Sequence, residues 1–133
     1  MRKLSIIIPC YNEERTIVEL LERVERASMP GWEKEVIVVD DASQDNTRSI
    51  LKRFENSIRV IYSQTNGGKG TAIQRGARDA TGDFILIQDA DLEYDPSDIK
   101  NLLSIIDSGE ADVVYGSRNL NPETKHGATI ARI

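Results

Sequence analysis

The strongest constraint on this chain is an alternation of short apolar runs with segments of helical period. Apolar runs at 4–9, 35–39, 58–62, 83–87 and 112–115 are separated by helix-period stretches at 17–24, 50–54, 70–80 and 99–106. Runs of four to six nearly all-apolar residues suit strands buried on both faces, and intervening helices are what parallel neighbours require. The expected fold is therefore α/β, a mostly parallel sheet flanked by helices, in one domain over 1–133.

Two helices show the face that would cover such a sheet. Ile17, Leu20, Leu21 and Val24 fall at i, i+3, i+4 and i+7, and Ile99, Leu102, Leu103 and Ile106 repeat that spacing. The 70–80 segment offers Ile73, Gly76, Ala77 and Ala80 instead, small residues that let a helix approach the sheet closely. Gly82 suits that helix's exit. Asp95 before Pro96 reads as an N-cap with a first-turn proline, Asn12 as the cap of the first helix, and Ser43 or Asp45 as the cap of the second. After the turn-rich 116–127 stretch only Ala-Thr-Ile-Ala-Arg-Ile remains, too short to establish a last helix, so the sequence reads as C-terminally truncated.

Composition narrows the function classes. Seventeen Lys and Arg against 22 Asp and Glu give a net charge of −5, which excludes a global attraction to nucleic acid or anionic lipid. Any anionic ligand must be held locally. The single Cys10 allows no internal disulfide and reads as a small core thiol; with only one histidine, His126, the chain has no Cys/His zinc set. His126 reads as a surface histidine. The apolar stretch after Met1-Arg2-Lys3 stops at Pro9, short of a signal-peptide core of about 7–15 residues, and no stretch reaches the roughly 18 apolar residues of a membrane span. A cytoplasmic location is the default expectation, and no basic amphipathic helix encodes membrane association.

In a parallel sheet, ligands bind beyond the carboxyl ends of the strands, and here those ends are unusually polar. The five runs lead into Pro9-Cys10-Tyr11-Asn12-Glu13, Asp40-Asp41-Ala42-Ser43-Gln44-Asp45, Asn66-Gly67-Gly68-Lys69-Gly70, Asp89-Ala90-Asp91-Leu92-Glu93 and Gly116-Ser117-Arg118. Each loop alone reads equally as an ordinary turn or helix cap. Together they place adjacent Asp40 and Asp41, and Asp89 and Asp91 two apart, on one rim of an acidic protein. Such crowding needs a cation or hydrogen-bond donors to offset it, and a divalent metal is the economical expectation. Two carboxylates after one strand make a partial site for Mg²⁺ or Mn²⁺, completed by water and a diphosphate. Lys69 and Arg118 are the rim cations that could serve the same anion. Tyr11 could stack on a planar base while Glu13 or Asp41 accepts its hydrogen bonds.

Other nucleotide folds fit poorly. Lys69 is followed by Gly70 rather than Ser or Thr, so the glycine-rich segment fails the P-loop pattern, and no G-x-G-x-x-G follows the first run.

These motifs resemble a known family. Ile-Ile-Ile-Pro-Cys-Tyr-Asn-Glu at 6–13, Val-Asp-Asp-Ala-Ser-Gln-Asp-Asn-Thr at 39–47, Asn-Gly-Gly-Lys-Gly at 66–70, Gln-Asp-Ala-Asp-Leu-Glu-Tyr-Asp-Pro at 88–96 and Gly-Ser-Arg at 116–118 resemble family 2 glycosyltransferases of the GT-A fold. The fourth motif is closest to polyprenyl-phosphate (dolichol-phosphate) mannosyl- and glucosyltransferases. The resemblance implies a Rossmann-like fold and transfer of a sugar from a UDP- or GDP-sugar, with inversion, to an acceptor such as a polyprenyl phosphate. It implies that Pro9, Tyr11, Glu13 and Asp41 line the nucleoside pocket, that Asp89 and Asp91 form the metal-binding DXD motif with Glu93 as a further or second-layer ligand, and that Lys69 and Arg118 lie near phosphates. Asp89 counts toward both substrate and metal. The later segment that carries acceptor site and catalytic base in the family is missing, so no base is assigned and the isolated chain is expected to be the donor-binding part. A nucleotide-binding module without turnover and a nucleotidyltransferase are the alternatives. A haloacid-dehalogenase-like phosphatase fits worse, since Asp89-Ala90-Asp91 follows the fourth run rather than the first.

Overall fold

The computed structural model describes residues 2–92, 95–109, 113–117 and 127–132. Strands β1 (Arg2–Cys10), β2 (Trp32–Asp40), β3 (Arg59–Tyr62) and β4 (Phe84–Ile87) alternate with helices α1 (Ile17–Arg26), α2 (Thr47–Lys52) and α3 (Lys69–Asp79). A 3₁₀ turn (Pro96–Asp98) then leads into α4 (Ile99–Asp107), followed by β5 (Val113–Ser117) and β6 (Gly127–Arg132). The six-stranded sheet has the order β3-β2-β1-β4-β6-β5. Strands β1 to β4 are parallel, with β1 central and in register from Arg2↔Trp32 to Cys10↔Asp40 on one side and from Leu4↔Phe84 to Ile7↔Ile87 on the other.

The expected α/β architecture is present, with a correction at its end. The Ala-Thr-Ile-Ala-Arg stretch is a strand, not the start of a helix: β6 runs antiparallel between β4 and β5, pairing Ile87↔Thr129 and Val114↔Ile130. Its β-branched Ile130 fits that placement and is fully buried.

Central β1 is buried from Leu4 through Cys10 because helices cover both faces. Leu4, Ile6, Ile8 and Val38 join one cluster with the α1 stripe Ile17, Leu20, Leu21 and Val24 and the α4 stripe Ile99, Leu102, Leu103 and Ile106. Helix α3 lies on the other face over Ile37 and Val39. Its contact line is Ala72 and Gly76, the small-residue approach that the sequence predicts: a Cβ on Gly76 would sit 2.6 Å from Ile7 Cγ2.

Gly82 has a different role from the one expected. The α3 exit is made by Ala80 in an extended conformation, and Gly82 instead lets the chain pass against β1, where a Cβ would meet Ser5 N at 2.8 Å and Lys3 O at 2.9 Å. Helix α2 also starts earlier than its apolar pattern suggests, at Thr47 rather than Ile50, because Asp45 Oδ1 accepts from Thr47 N at 2.9 Å. Asp95 caps as expected, accepting from Ser97 N at 3.0 Å. Among the described residues no helix is long and apolar enough to cross a membrane.

At the end of the sheet away from the polar rim, Glu35 of β2 collects three donors, two from β1 and one from the segment before β4. Thr81 N donates at 2.9 Å, Ser5 Oγ at 2.8 Å, and Lys3 Nζ is 3.3 Å away. Burial alone would raise the Glu35 carboxyl, but the Thr81, Ser5 and Lys3 contacts hold it down, from 4.5 to about 2. A depressed folded-state pKa stabilises the fold fully above pH 4.5, and the contribution is lost as pH falls through about 2. Glu35→Gln is therefore expected to cost about 2 kcal/mol at pH 7 and progressively less toward pH 3. Urea unfolding of both proteins at the two pH values reads this difference.

Candidate donor-binding site

The crevice lies where the chain's winding reverses. From β1 the connection through α1 goes to β2 on one side, while the connection from β3 through α3 returns to β4 on the other, leaving a gap beyond the carboxyl ends of β1 and β4. Pro9, Cys10, Tyr11, Glu13, Asp41, Lys69, Ala72, Asp89, Ala90 and Asp91 line one cleft there, of about 220 Å³. Seven of these, Pro9, Tyr11, Glu13, Asp41, Lys69, Asp89 and Asp91, are sequence-predicted site residues. Arg118 and Glu93 lie outside the described residues, as does His126.

The first two loops are laced together. Cys10 O accepts from Asp41 N at 2.9 Å, which carries the β1–β2 ladder one step past its end. Asn12, at φ 52°, does not cap α1. Its Oδ1 reaches across to accept from Gln44 N at 2.8 Å, while its own N–H donates to Ser43 Oγ at 2.9 Å. Glu13 N donates to Thr47 Oγ1 at 3.0 Å. Ser43 is accordingly a cross-loop acceptor and not the α2 cap.

The adjacent acids divide into two roles. Asp40 is fully buried and is neutralised from below: Arg48 Nε donates at 2.6 Å, Ser43 N at 3.2 Å, and the guanidinium also reaches Ser63 O and covers the Tyr62 ring at 5.6 Å. That carboxylate is thus offset by hydrogen-bond donors and a guanidinium, one of the two means that its crowded position calls for. Asp41 faces the cleft, and its two oxygens accept from Gly67 N at 2.9 Å and Gly68 N at 2.8 Å. Gly68, at φ 90°, turns the chain into α3. Asp41 thus both lines the cleft and fixes the glycine-rich loop. Asp41→Asn is expected to weaken nucleotide binding about tenfold, because its amide group would meet one of the two glycine N–H donors. Calorimetric titration, with thermal unfolding in parallel, measures both effects.

The opposite wall is the 89–92 turn. Thr16 Oγ1 donates to Ala90 O at 2.6 Å and ties this turn to α1, and Leu92 sits at φ 65°. Lys69 Nζ forms an ion pair with Asp89. Asp91 is exposed at the cleft mouth, where Tyr11 is 41% exposed. The field here is strongly negative. The Glu13 carboxyl is raised, first by burial and then, against an opposing hydrogen bond from Thr16, by the charges of Asp91, Asp45 and Asp89. The Cys10 thiol is pushed far up by burial and by Asp40, Glu13 and Asp45, so it is no nucleophile.

Among the described residues no group of three or more acidic, Cys or His side chains is gathered as a metal cage. Asp89 and Asp91 supply hard oxygen donors two residues apart on one wall of the cleft, so the residues fit a divalent ion held by a partial protein shell.

Thr16 and Arg48 are site-building residues that the sequence did not expose. Thr16 stands three residues after Glu13, within reach of it, but nothing local announces its bond to Ala90.

Residues 5–130 match the family described as Glycosyl transferase family 2. The chain is 36% identical over 118 residues to a dolichol-phosphate mannosyltransferase of Pyrococcus furiosus, covering 87% of this chain and 33% of that protein. Two solved structures superpose closely. Staphylococcus aureus TarS 1-349 in complex with UDP gives a TM-score of 0.77 at 33% identity, over 93% of this chain and 38% of that one. A mannosyltransferase from Pyrobaculum calidifontis in complex with GDP-Man and Mn²⁺ gives 0.76 at 28% identity, over 86% and 35%. The chain therefore spans about a third or less of the full-length relatives, 33% of the Pyrococcus protein and 20% of TarS. With a GT-A sheet, five ordered loop motifs and a family match across nearly its whole length, the chain belongs to glycosyl transferase family 2.

Proposed function

We propose that residues 1–133 form the donor-binding part of a metal-dependent, inverting glycosyltransferase that uses a UDP- or GDP-sugar. The observation that carries this reading is the convergence of Tyr11, Asp41, Lys69, Asp89 and Asp91 on one cleft at the β1–β4 switch point. Tyr11 offers a ring for the base, Asp41 and Glu13 accept its N–H groups, and Lys69 together with Arg118 pairs with the diphosphate. Asp89 and Asp91, with Glu93, hold Mg²⁺ or Mn²⁺, which when bound neutralises charge on the departing diphosphate. In the transfer an acceptor oxygen bonds to the anomeric carbon as the carbon–oxygen bond to the diphosphate breaks, so the nucleoside diphosphate leaves with the electron pair and the centre inverts.

A polyprenyl phosphate is the proposed acceptor, in keeping with the dolichol-phosphate transferase among the relatives. Its phosphate oxygen is already anionic near neutral pH, the second pKa being about 6, so the reaction needs no protein base. Such an acceptor places the protein at the cytoplasmic face of a membrane. A second reading is a nucleotide-binding module without turnover, since the chain spans only 33% of the dolichol-phosphate transferase it matches.

Calorimetric titration with UDP and GDP, each with Mn²⁺ and with EDTA, tests the proposal. Metal-dependent binding of one nucleotide supports it and identifies the base, whereas a folded sample that binds neither refutes it. Sugar transfer by this chain would remove the second reading.

A further inference from the structure

Lys69 is held from two sides. The residues before it, Gly67 and Gly68, donate their N–H groups to the Asp41 carboxylate, and its ammonium is paired with Asp89. It therefore spans the cleft from the wall assigned to the nucleoside to the wall assigned to the metal. The Lys69 side chain is 52% exposed and that of Asp89 only 18%, so the lysine is the partner free to leave and the carboxylate the one that stays. An ammonium and a divalent cation cannot share one carboxylate oxygen without facing each other's charge. The loop that would hold the lysine's new position does not depend on the ion pair, since Asp41 anchors it separately.

Resting on the donor-site reading above, we propose that Lys69 is the exchangeable counter-ion of Asp89: its ammonium occupies that carboxylate until a divalent cation claims it, then turns to the diphosphate, so that metal and nucleotide favour each other's binding through this one side chain. The coupling is reciprocal by linkage. Metal alone must displace the lysine with no new partner for it, nucleotide alone must compete with Asp89 for it, and the two together satisfy every charge.

Mn²⁺ binding, read from the electron paramagnetic resonance of the free ion, and nucleotide binding, read by calorimetry, test this without any activity measurement. Lys69→Met is expected to bind Mn²⁺ alone about fivefold more tightly than wild type and, at saturating Mn²⁺, to bind the nucleoside diphosphate about tenfold more weakly, with the mutual enhancement reduced to match. Lys69→Arg retains the charge and should preserve the enhancement. Arg78→Gln, in the last turn of the same helix, removes an equal charge without touching the pair and should leave Mn²⁺ affinity as it is. Mn²⁺ affinity in Lys69→Met equal to that of wild type or Arg78→Gln, or undiminished enhancement, overturns the counter-ion exchange alone. Failure of wild type to bind Mn²⁺ with either UDP or GDP overturns the donor-site reading and this inference together.

Discussion

Replacing Asp91 by alanine is expected to abolish metal-dependent nucleotide binding, lowering affinity at least about a hundredfold, or ~2.7 kcal/mol, while leaving the fold intact or slightly more stable. The two effects have opposite signs for one reason. Asp91 adds negative charge to a cleft that already contains Glu13, Asp41 and Asp89, and it is among the causes that raise the Glu13 carboxyl. Removing it relieves repulsion at no cost in packing, since its side chain is exposed. Titration of the variant with Mn²⁺ and nucleotide, beside its thermal melt, reads both signs. Nucleotide binding that survives both this substitution and EDTA would separate the cleft from any metal.

The largest structural effect is expected at Gly82. Gly82→Ala should lower stability by about 3 kcal/mol and the melting temperature by about 10 °C. A Cβ there meets Ser5 Oγ at 2.6 Å, Ser5 N at 2.8 Å and Lys3 O at 2.9 Å. Two of the three are backbone atoms of β1, the strand on which β2 and β4 are aligned, so they cannot yield without disturbing both pairings. Gly82 N also donates to Ser5 Oγ at 2.9 Å, a bond that any displacement would lose. Gly76→Ala makes the useful comparison. Its nearest clash, 2.6 Å, is with a side-chain methyl of Ile7 and not with strand backbone, so α3 can lift slightly without breaking the strand pairings, and the expected loss is about half as large. Equal melting points for the two variants would contradict this ordering.

Periodicity carried most of the fold. The α1 and α4 stripes are buried residue for residue as their spacing predicts, because a helix on a sheet has one face to hide. The small residues of α3 likewise foretold a close approach at Gly76. What escaped was decided by partners distant in the chain. Strand β6, Gly-Ala-Thr-Ile-Ala-Arg, is not an apolar run like the other strands, and its identity comes from the edge of β4 beside which it lies. Asn12 has a cap's side chain but spends it on Gln44 across the rim, and the Asp40–Arg48 pair depends on how the second loop folds over Tyr62. The cleft was more legible than its scaffolding. A rule about where parallel sheets bind ligands is enough to collect Tyr11, Glu13, Asp41, Lys69, Asp89 and Asp91, whereas the bonds that hold them, such as Thr16 to Ala90, join residues 74 apart.

The position of β6 bears on how the molecule comes together. The described strands do not join the sheet in the order in which they are synthesised, because β6, made after β5, lies between β4 on one side and β5 on the other. Strands β1 to β4 with their helices can dock as they emerge, burying β1 and bringing the acidic loops of the rim together. Strand β5, although complete ten residues earlier, has no neighbour until residues 127–132 arrive, and its pairing must wait for them. On the ribosome, β4 would therefore present an unpaired edge for the whole interval between its own synthesis and that of Gly127, and any delay in that stretch prolongs the exposure of an aggregation-prone edge in a chain whose cleft is already shaped.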